Sequence, residues 1–219
     1  MISMLCQEEI KPFEPANKHI GLDLGIDCFF ATSNGDKIKN PKWLRKIQQR
    51  LKILNRRLSK KQKGSKNREK ARVKVAKLHQ KIVDTRLDYQ HKLSTQLVRE
   101  NQTIVVEDLN VSGMLKNHKL ARAISEVAWS QFVSMLKYKC EWYERTFLKV
   151  DRFFPSSKTC SSCGSIQKSI PLKVRKWTCP DCGVHHDRDI NAAKNILTAG
   201  LAGFAGGAEI RPEANLLKA

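Results

Sequence analysis

No apolar run in the 219 residues approaches the roughly 18 needed to span a bilayer, and the N-terminus lacks the basic start and apolar stretch of a secretory signal. No membrane association is expected, and a cytoplasmic setting is. Acidic residues are scarce too: 21 Asp and Glu stand against 41 Lys and Arg, a net charge of +20. That balance points to a polyanionic partner, with nucleic acid the leading candidate. The shortage of acids is sharpest between Pro41 and Lys81, where 17 basic residues accompany a single acid, Glu69. Self-repulsion along such a stretch is relieved by a bound anion. A disulfide framework is also missing. Cys6, Cys28 and Cys140 are scattered without ligand spacing and read as free thiols in a reducing compartment.

The other four cysteines are ordered. Cys160/Cys163 and Cys179/Cys182 form two CxxC turns with 15 residues between them, the spacing expected when two tight turns fold over one tetrahedral zinc ion and supply four thiolates. Gly164 and Gly183 each follow the second cysteine of a turn, where a positive φ lets backbone amides point at the sulfurs. His185 and His186 read as polar residues near a loop, because four thiolates leave no position vacant.

Within the basic stretch, Leu44, Ile47, Leu51, Leu54 and Leu58 alternate spacings of three and four, and Val75, Leu78 and Ile82 resume the rhythm. The apolar-free segment Ser59 to Asn67 between them reads as the turn of a helical hairpin with an apolar seam and basic outer faces. Lys52, Arg56, Arg57, Lys60, Lys61, Lys63, Lys66, Arg68 and Arg72 are the expected phosphate contacts.

Three carboxylates occupy three different settings. His19 to Leu24 reads as a strand carrying Asp23, the first of a meander whose next turn is signalled by Asn34-Gly35. Thr103 to Asn110 reads as a central strand ending in Glu107 and Asp108. Ligands and metals are commonly held at such a strand end. Glu107 continues the strand and Asp108 is expected to point the other way, capping or ordering the next loop. Asp187 and Asp189 precede a helical pattern that starts near Asn191; N-capping needs only one of them, which leaves a carboxylate for other work. Ile124, Val127, Ala128, Phe132, Met135, Leu136 and Tyr143 recur at helical spacing and are expected to pack on the sheet, with Trp129 and Trp142 as core or partner contacts.

Together these motifs resemble the TnpB (OrfB) proteins of insertion sequences, relatives of the type V CRISPR effector nucleases. The resemblance rests on GLDLG at Gly21 to Gly25, VVEDLN at Val105 to Asn110, the CSSCG and CPDCG turns, DRDINAAKNIL at Asp187 to Leu197, and the LSKKQKGSKNREKAR helical segment. It covers residues 19 to 200. It implies an α/β fold: a ribonuclease H-like (RuvC-like) mixed sheet with flanking helices, a basic helical hairpin inserted at 41–100 and a zinc ribbon. The implied divisions are a connector at 1–18, a nuclease core at 19–155, a ribbon at 156–186, the last acid and helix at 187–200, and a flexible tail at 201–219.

Carried over motif by motif, the implied catalytic acids are Asp23, Glu107 and Asp189, with Asp187 as the fallback for the third. Two Mg²⁺ ions would be held by those acids, and Zn²⁺ by Cys160, Cys163, Cys179 and Cys182. The implied activity is RNA-guided cleavage of DNA, so DNA and a guide RNA are the expected partners. Full-length relatives carry a large recognition portion ahead of the first nuclease strand, and only a short stretch precedes His19 here. A non-catalytic nucleic-acid-binding remnant with a zinc ribbon is the alternative expectation.

Overall fold

The computed structural model describes residues 8–205, apart from the side chains of Trp43, Leu44 and Lys46. Leu44 as a member of the apolar seam, Cys6 as a free thiol and the tail beyond Ala205 lie outside the described residues.

Five strands form a mixed sheet. β1 (His19–Leu24), β2 (Cys28–Thr32) and β3 (Lys37–Lys39) make an antiparallel meander. β4 (Thr103–Glu107) lies parallel to β1, and β5 (Thr146–Val150) lies parallel to β4, giving the order β3-β2-β1-β4-β5. Parallel neighbours cannot be joined by a tight turn. Helices therefore fill the crossovers: α1 (Trp43–Ser59) and α2 (Lys66–Glu100) precede β4, and α3 (Val111–Met114), α4 (Ala121–Val127) and α5 (Trp129–Trp142) precede β5. A separate two-stranded ribbon, β6 (Lys176–Thr178) and β7 (His185–Asp187), leads directly into α6 (Arg188–Ala205).

The two-residue period of the strands sorts their side chains between two layers. Ile20, Leu22 and Leu24 of β1 and Ile104 and Val106 of β4 pack with Leu97 and Val98 of α2 and Phe132 and Leu136 of α5. Val105, Leu148 and Val150 meet Ile196 of α6 on the opposite face. Gly21 lies on that second face, and α6 crosses it so closely that a Cβ at this position would overlap the carbonyl oxygen of Ala193 and stand 2.8 Å from the amide nitrogen of Leu197. The glycine of GLDLG is thus a condition of the α6 approach.

Several expectations change. The run from Ile124 to Tyr143 is two helices, broken at Ala128, whose φ of 55° is left-handed. Buried Gln90 of α2 donates from Nε2 to the carbonyls of Val127 (3.0 Å) and Ala128 (3.4 Å), so groups near the break stay bonded. The break lets Trp129 enter the core at 2% exposure, whereas Trp142 stays about half exposed. The last helix starts at Arg188 rather than near Asn191 and runs through residues 201–205, which were expected to belong to the tail; alanine and leucine sustain it there. Phe13, in the expected connector, stacks on Tyr143 with ring centroids 3.9 Å apart. No described helix is long and apolar enough to cross a membrane.

Because no side chain can relax the overlap of a β-carbon with backbone, Gly21→Ala should destabilise the protein by about 1–3 kcal/mol or more. In thermal unfolding this appears as a Tm lowered by several degrees. An unchanged Tm would show that α6 can lift from β1 without cost.

Candidate active site and metal centre

The parallel register that sets Leu22 beside Val106 brings Asp23 level with Glu107, one residue further along, at the carboxyl ends of β1 and β4. Asp23 also lies opposite Ala31 of β2. Asp189 arrives from the first turn of α6, on the same side of the sheet as Gly21. The three acids share one electrostatic site. Burial holds the Asp23 carboxyl well above its ordinary value, the charges of Glu107 and Asp189 push it further, and Arg188 and Lys37 offset part of the rise. Burial likewise raises Glu107, against a hydrogen bond donated by the Ser156 hydroxyl to its Oε1.

Two cations hold the α6 end of the site. Lys37 of β3 reaches Asp187 at 2.6 Å and Asp189 at 2.8 Å. Burial works to lower the Lys37 ammonium, but its two carboxylate hydrogen bonds outweigh that and keep it above its ordinary value. Arg175, from the segment between the two CxxC turns, pairs with Asp27 at 2.9 Å and with Asp189 at 3.5 Å. Asp187 and Asp189 do different things. The Asp187 carboxylate accepts the backbone amides of Asp189 (3.1 Å) and Ile190 (3.3 Å), so it caps α6. Burial works to raise Asp187, yet Lys37 and those amides leave its carboxyl below the ordinary value. Asp108 turns away from Glu107 and pairs with Arg152 (2.6 Å) and Lys149 (3.5 Å). The hydrogen bond from Arg152 is the main reason its carboxyl is held low.

The four ordered cysteines converge. The sulfurs of Cys160, Cys163, Cys179 and Cys182 all lie within 4.8 Å of one another and can hold a metal such as zinc; among the described residues this is the one group of three or more ligating side chains gathered closely enough to do so. The two turns repeat one hydrogen-bond pattern, with Gly164 donating to the Cys160 carbonyl and Gly183 to that of Cys179, both at 2.9 Å. Their φ values of 77° and 71° explain the glycines. His186 is more than a loop residue. It is buried, its ring lies 4.8 Å from that of Trp177, and its Nε2 contacts the Cys160 sulfur at 3.0 Å. It thus orients a ligand without replacing one.

The cysteine cluster is bolted to α6 by two asparagines that sequence reasoning passed over. Asn191 accepts the Ser161 amide (2.9 Å) and donates to the Thr159 carbonyl (2.7 Å). Asn195 donates to the carbonyls of Ser156 (2.8 Å) and Thr159 (2.6 Å). Ser156 in turn touches Glu107. Lys37, Arg175 and Ser156 were missed as well, since nothing in their local sequence marks them as neighbours of the acids. For the asparagines the DRDINAAKN motif itself was the available signal, at i and i+4 on one helix face.

The basic segment folds as a hairpin of α1 and α2. Lys52, Arg56, Arg57, Lys60, Lys61, Lys63 and Lys66 are exposed. Arg68 instead closes the turn by donating to the carbonyls of Leu58 (3.1 Å) and Lys61 (3.0 Å), and Arg72 pairs with Glu69 at 2.7 Å. Between the helices runs a groove of about 720 Å³, floored by Ile53, Leu54 and Leu78 and edged by Arg50, Arg57, Lys74, Lys77 and Lys81. Of those five basic residues, only Arg57 was among the expected contacts.

Comparison with known proteins places the chain. The model of the OrfB_IS605 family, described as "Probable transposase", matches residues 2–118. This chain belongs to the OrfB_IS605 family. A second model, "Cas12f1-like, TNB domain", matches residues 129–196, which include the cysteine cluster and Asp189. The chain is 54% identical over 212 residues to a "Putative RNA-guided DNA endonuclease" of Streptomyces pristinaespiralis, covering 97% of this chain and 52% of that protein. It is 32% identical to "Putative RNA-guided DNA endonuclease InsQ" of Escherichia coli, covering 94% of this chain and 55% of that one. It thus spans about half the length of these relatives. Its fold is similar to a chain in the "Cryo-EM structure of the Cas12f1-sgRNA-target DNA complex", with a TM-score of 0.56 at 18% identity over 84% of this chain and 50% of that chain. The resemblance read from the sequence motifs is borne out at the level of the family.

Two measurements test this geometry. His186→Ala should weaken zinc binding roughly 10–100-fold in a chelator competition, as loss of an outer partner does; unchanged affinity would reduce His186 to a packing role. The second concerns pH. Asp23 and Glu107 hold protons more tightly folded than unfolded, so stability that is full below their ordinary values of 3.8 and 4.5 is lost as pH rises through the raised folded values. Asp108 and Asp187, held low, act in the opposite sense and only at or below 3.8. Asp23→Asn should therefore be more stable than wild type to urea at neutral pH without divalent ions, with the difference closing near about pH 4. Equal urea midpoints at neutral pH would mean that Asp23 is not under electrostatic stress.

Proposed function

We propose that this chain is the nuclease portion of an RNA-guided, metal-dependent DNA endonuclease built on a ribonuclease H-like sheet and acting in the cytoplasm. The observation that carries the reading is the stressed Asp23 carboxyl, buried and facing Glu107 and Asp189 from two other elements. Asp23, Glu107 and Asp189 are less tightly gathered than the four thiolates, but they offer oxygen donors suited to divalent cations such as magnesium, which would relieve the stress on Asp23 and draw the carboxylates together. Asp23, Glu107 and Asp189 would hold two such ions. When bound, a magnesium pair would activate an attacking water and stabilise the leaving oxygen of a phosphodiester. Asp187 is the helix cap rather than the third ligand, since its carboxylate is engaged by the α6 amides.

Around those acids the residues divide the remaining work. Ser156 fixes the Glu107 carboxylate, and Lys37 and Arg175 balance the charge of Asp189. The four thiolates would hold structural zinc and keep the ribbon arginine at the edge of the site. The groove between α1 and α2 presents cations over an apolar floor, a surface for the phosphate backbone of guide RNA or target DNA. The names of the relatives in Streptomyces and Escherichia coli support the same activity.

The test is cleavage of target DNA by the purified chain with a matched guide RNA and Mg²⁺. Activity should vanish with EDTA and with Asp23→Ala, Glu107→Ala or Asp189→Ala, while Asp187→Asn, which keeps a capping oxygen, should retain it. Guide and DNA binding without any divalent-dependent cleavage would instead support a non-catalytic nucleic-acid-binding remnant.

A further inference from the structure

Both oxygens of the Asp189 carboxylate face cations. Oδ2 accepts from the Lys37 ammonium at 2.8 Å, and Oδ1 stands 3.5 Å from the Arg175 guanidinium. Its two companion acids differ: among the described residues neither Asp23 nor Glu107 forms an ion pair, and Glu107 accepts only from the neutral Ser156 hydroxyl. Of the three carboxylates, only the one delivered by α6 is neutralised by direct contact.

The same ammonium has a second seat. It lies 2.6 Å from Asp187 Oδ1, the oxygen that also accepts the Asp189 and Ile190 amides and is thereby fixed at the start of α6. Lys37 projects from β3 at the edge of the sheet, and its side chain is 33% exposed. A flexible four-carbon stem carrying a compact, rotatable ammonium can leave Asp189 and stay on Asp187. Arg175 is held differently, since its shorter bond, at 2.9 Å, goes to Asp27 and only its longer contact reaches Asp189.

We propose that the Lys37 ammonium is an internal stand-in for a divalent cation at Asp189, displaced onto Asp187 when an ion binds, so that Lys37 sets the ion concentration at which Asp189 joins Asp23 and Glu107. The inference rests on the nuclease reading for the purpose of the ion; the exchange itself needs only the acids and the lysine. Ammonium and ion compete for one carboxylate, so each weakens the hold of the other by the same factor. A monovalent ion brings Asp189 no more charge than the ammonium it would replace, which gives the exchange a preference for divalent ions. A lysine that merely tied β3 to α6 would act in the opposite sense, because its loss would loosen Asp189 and weaken ion binding.

The experiment measures Mn²⁺ binding to the zinc-loaded full chain without nucleic acid, from the electron paramagnetic resonance signal of the free ion. Lys37→Met, which keeps the stem and removes the charge, should tighten binding about fivefold or more. Lys37→Arg should bind no more tightly than wild type, and Arg175→Met should gain less than Lys37→Met. In an Asp189→Asn background the gain from Lys37→Met should vanish, because the contested seat is gone. Thermal melts without divalent ions check that each variant folds; if Lys37→Met does not, Lys37→Gln carries the same comparison. Unchanged or weakened Mn²⁺ binding in the folded variant overturns the proposal. So does an equal gain in Arg175→Met, which would reduce the effect to general charge, or a gain that persists with Asp189→Asn. The two readings fail separately: unchanged Mn²⁺ affinity beside metal-dependent cleavage removes the stand-in alone, and tightened affinity beside absent cleavage removes the nuclease reading alone.

Discussion

The geometry of the whole site depends on how closely the backbone of α6 can approach β1. Gly21 permits contact of the strand with the Ala193 carbonyl, and the pair of small residues Ala192 and Ala193 gives the helix a flat underside, both buried. With α6 lying on the sheet at that depth, its first turn reaches the ends of β1 and β4 and brings Asp189 towards Asp23 and Glu107. A helix held further out would carry Asp189 away from Asp23 and Glu107, which strand register alone keeps side by side. Asp23 would then lose the contribution of Asp189 to its raised carboxyl while keeping those of burial and Glu107.

That approach also decides where the cysteine cluster sits. Asn191 and Asn195 project one turn apart from the same helix and bind the backbone that enters and forms the first CxxC turn. Ribbon and sheet are joined through α6, and Arg175 returns from the ribbon to Asp189. The cysteine cluster is therefore mechanically continuous with the acids. The repulsion created by gathering carboxylates is met partly from β3 by Lys37 and partly from the ribbon by Arg175, two elements remote in the chain.

Much of this organisation was legible beforehand wherever a local rule applied. The meander from β1 to β3, the central strand ending at Glu107, the hairpin turn near Gly64 and the paired glycines after each CxxC follow from periodicity, turn chemistry and ligand spacing. The helix break at Ala128 was not legible. Alanine is a strong helix former, and its left-handed φ of 55° accompanies core burial of Trp129 and hydrogen bonds from Gln90, distant in sequence. The local role of Arg68 was not legible for a related reason: charge alone suggested a phosphate contact, and the turn adds two carbonyls within its reach.

By itself the sequence determined the chemical inventory: three acids in three settings, four thiols with one spacing, a segment of nearly unmixed positive charge, and the motifs that mark the family. Those properties are local, since short-range spacing and residue type decide them. Only the tertiary structure decided which groups meet. It made Asp187 the cap of α6 and set the charge of Asp189 against Asp23, brought Lys37, Arg175 and Ser156 to carboxylates far away in the chain, and put His186 on a cysteine sulfur. Such pairings depend on the depth at which α6 packs and on strand register, and no local pattern encodes either one.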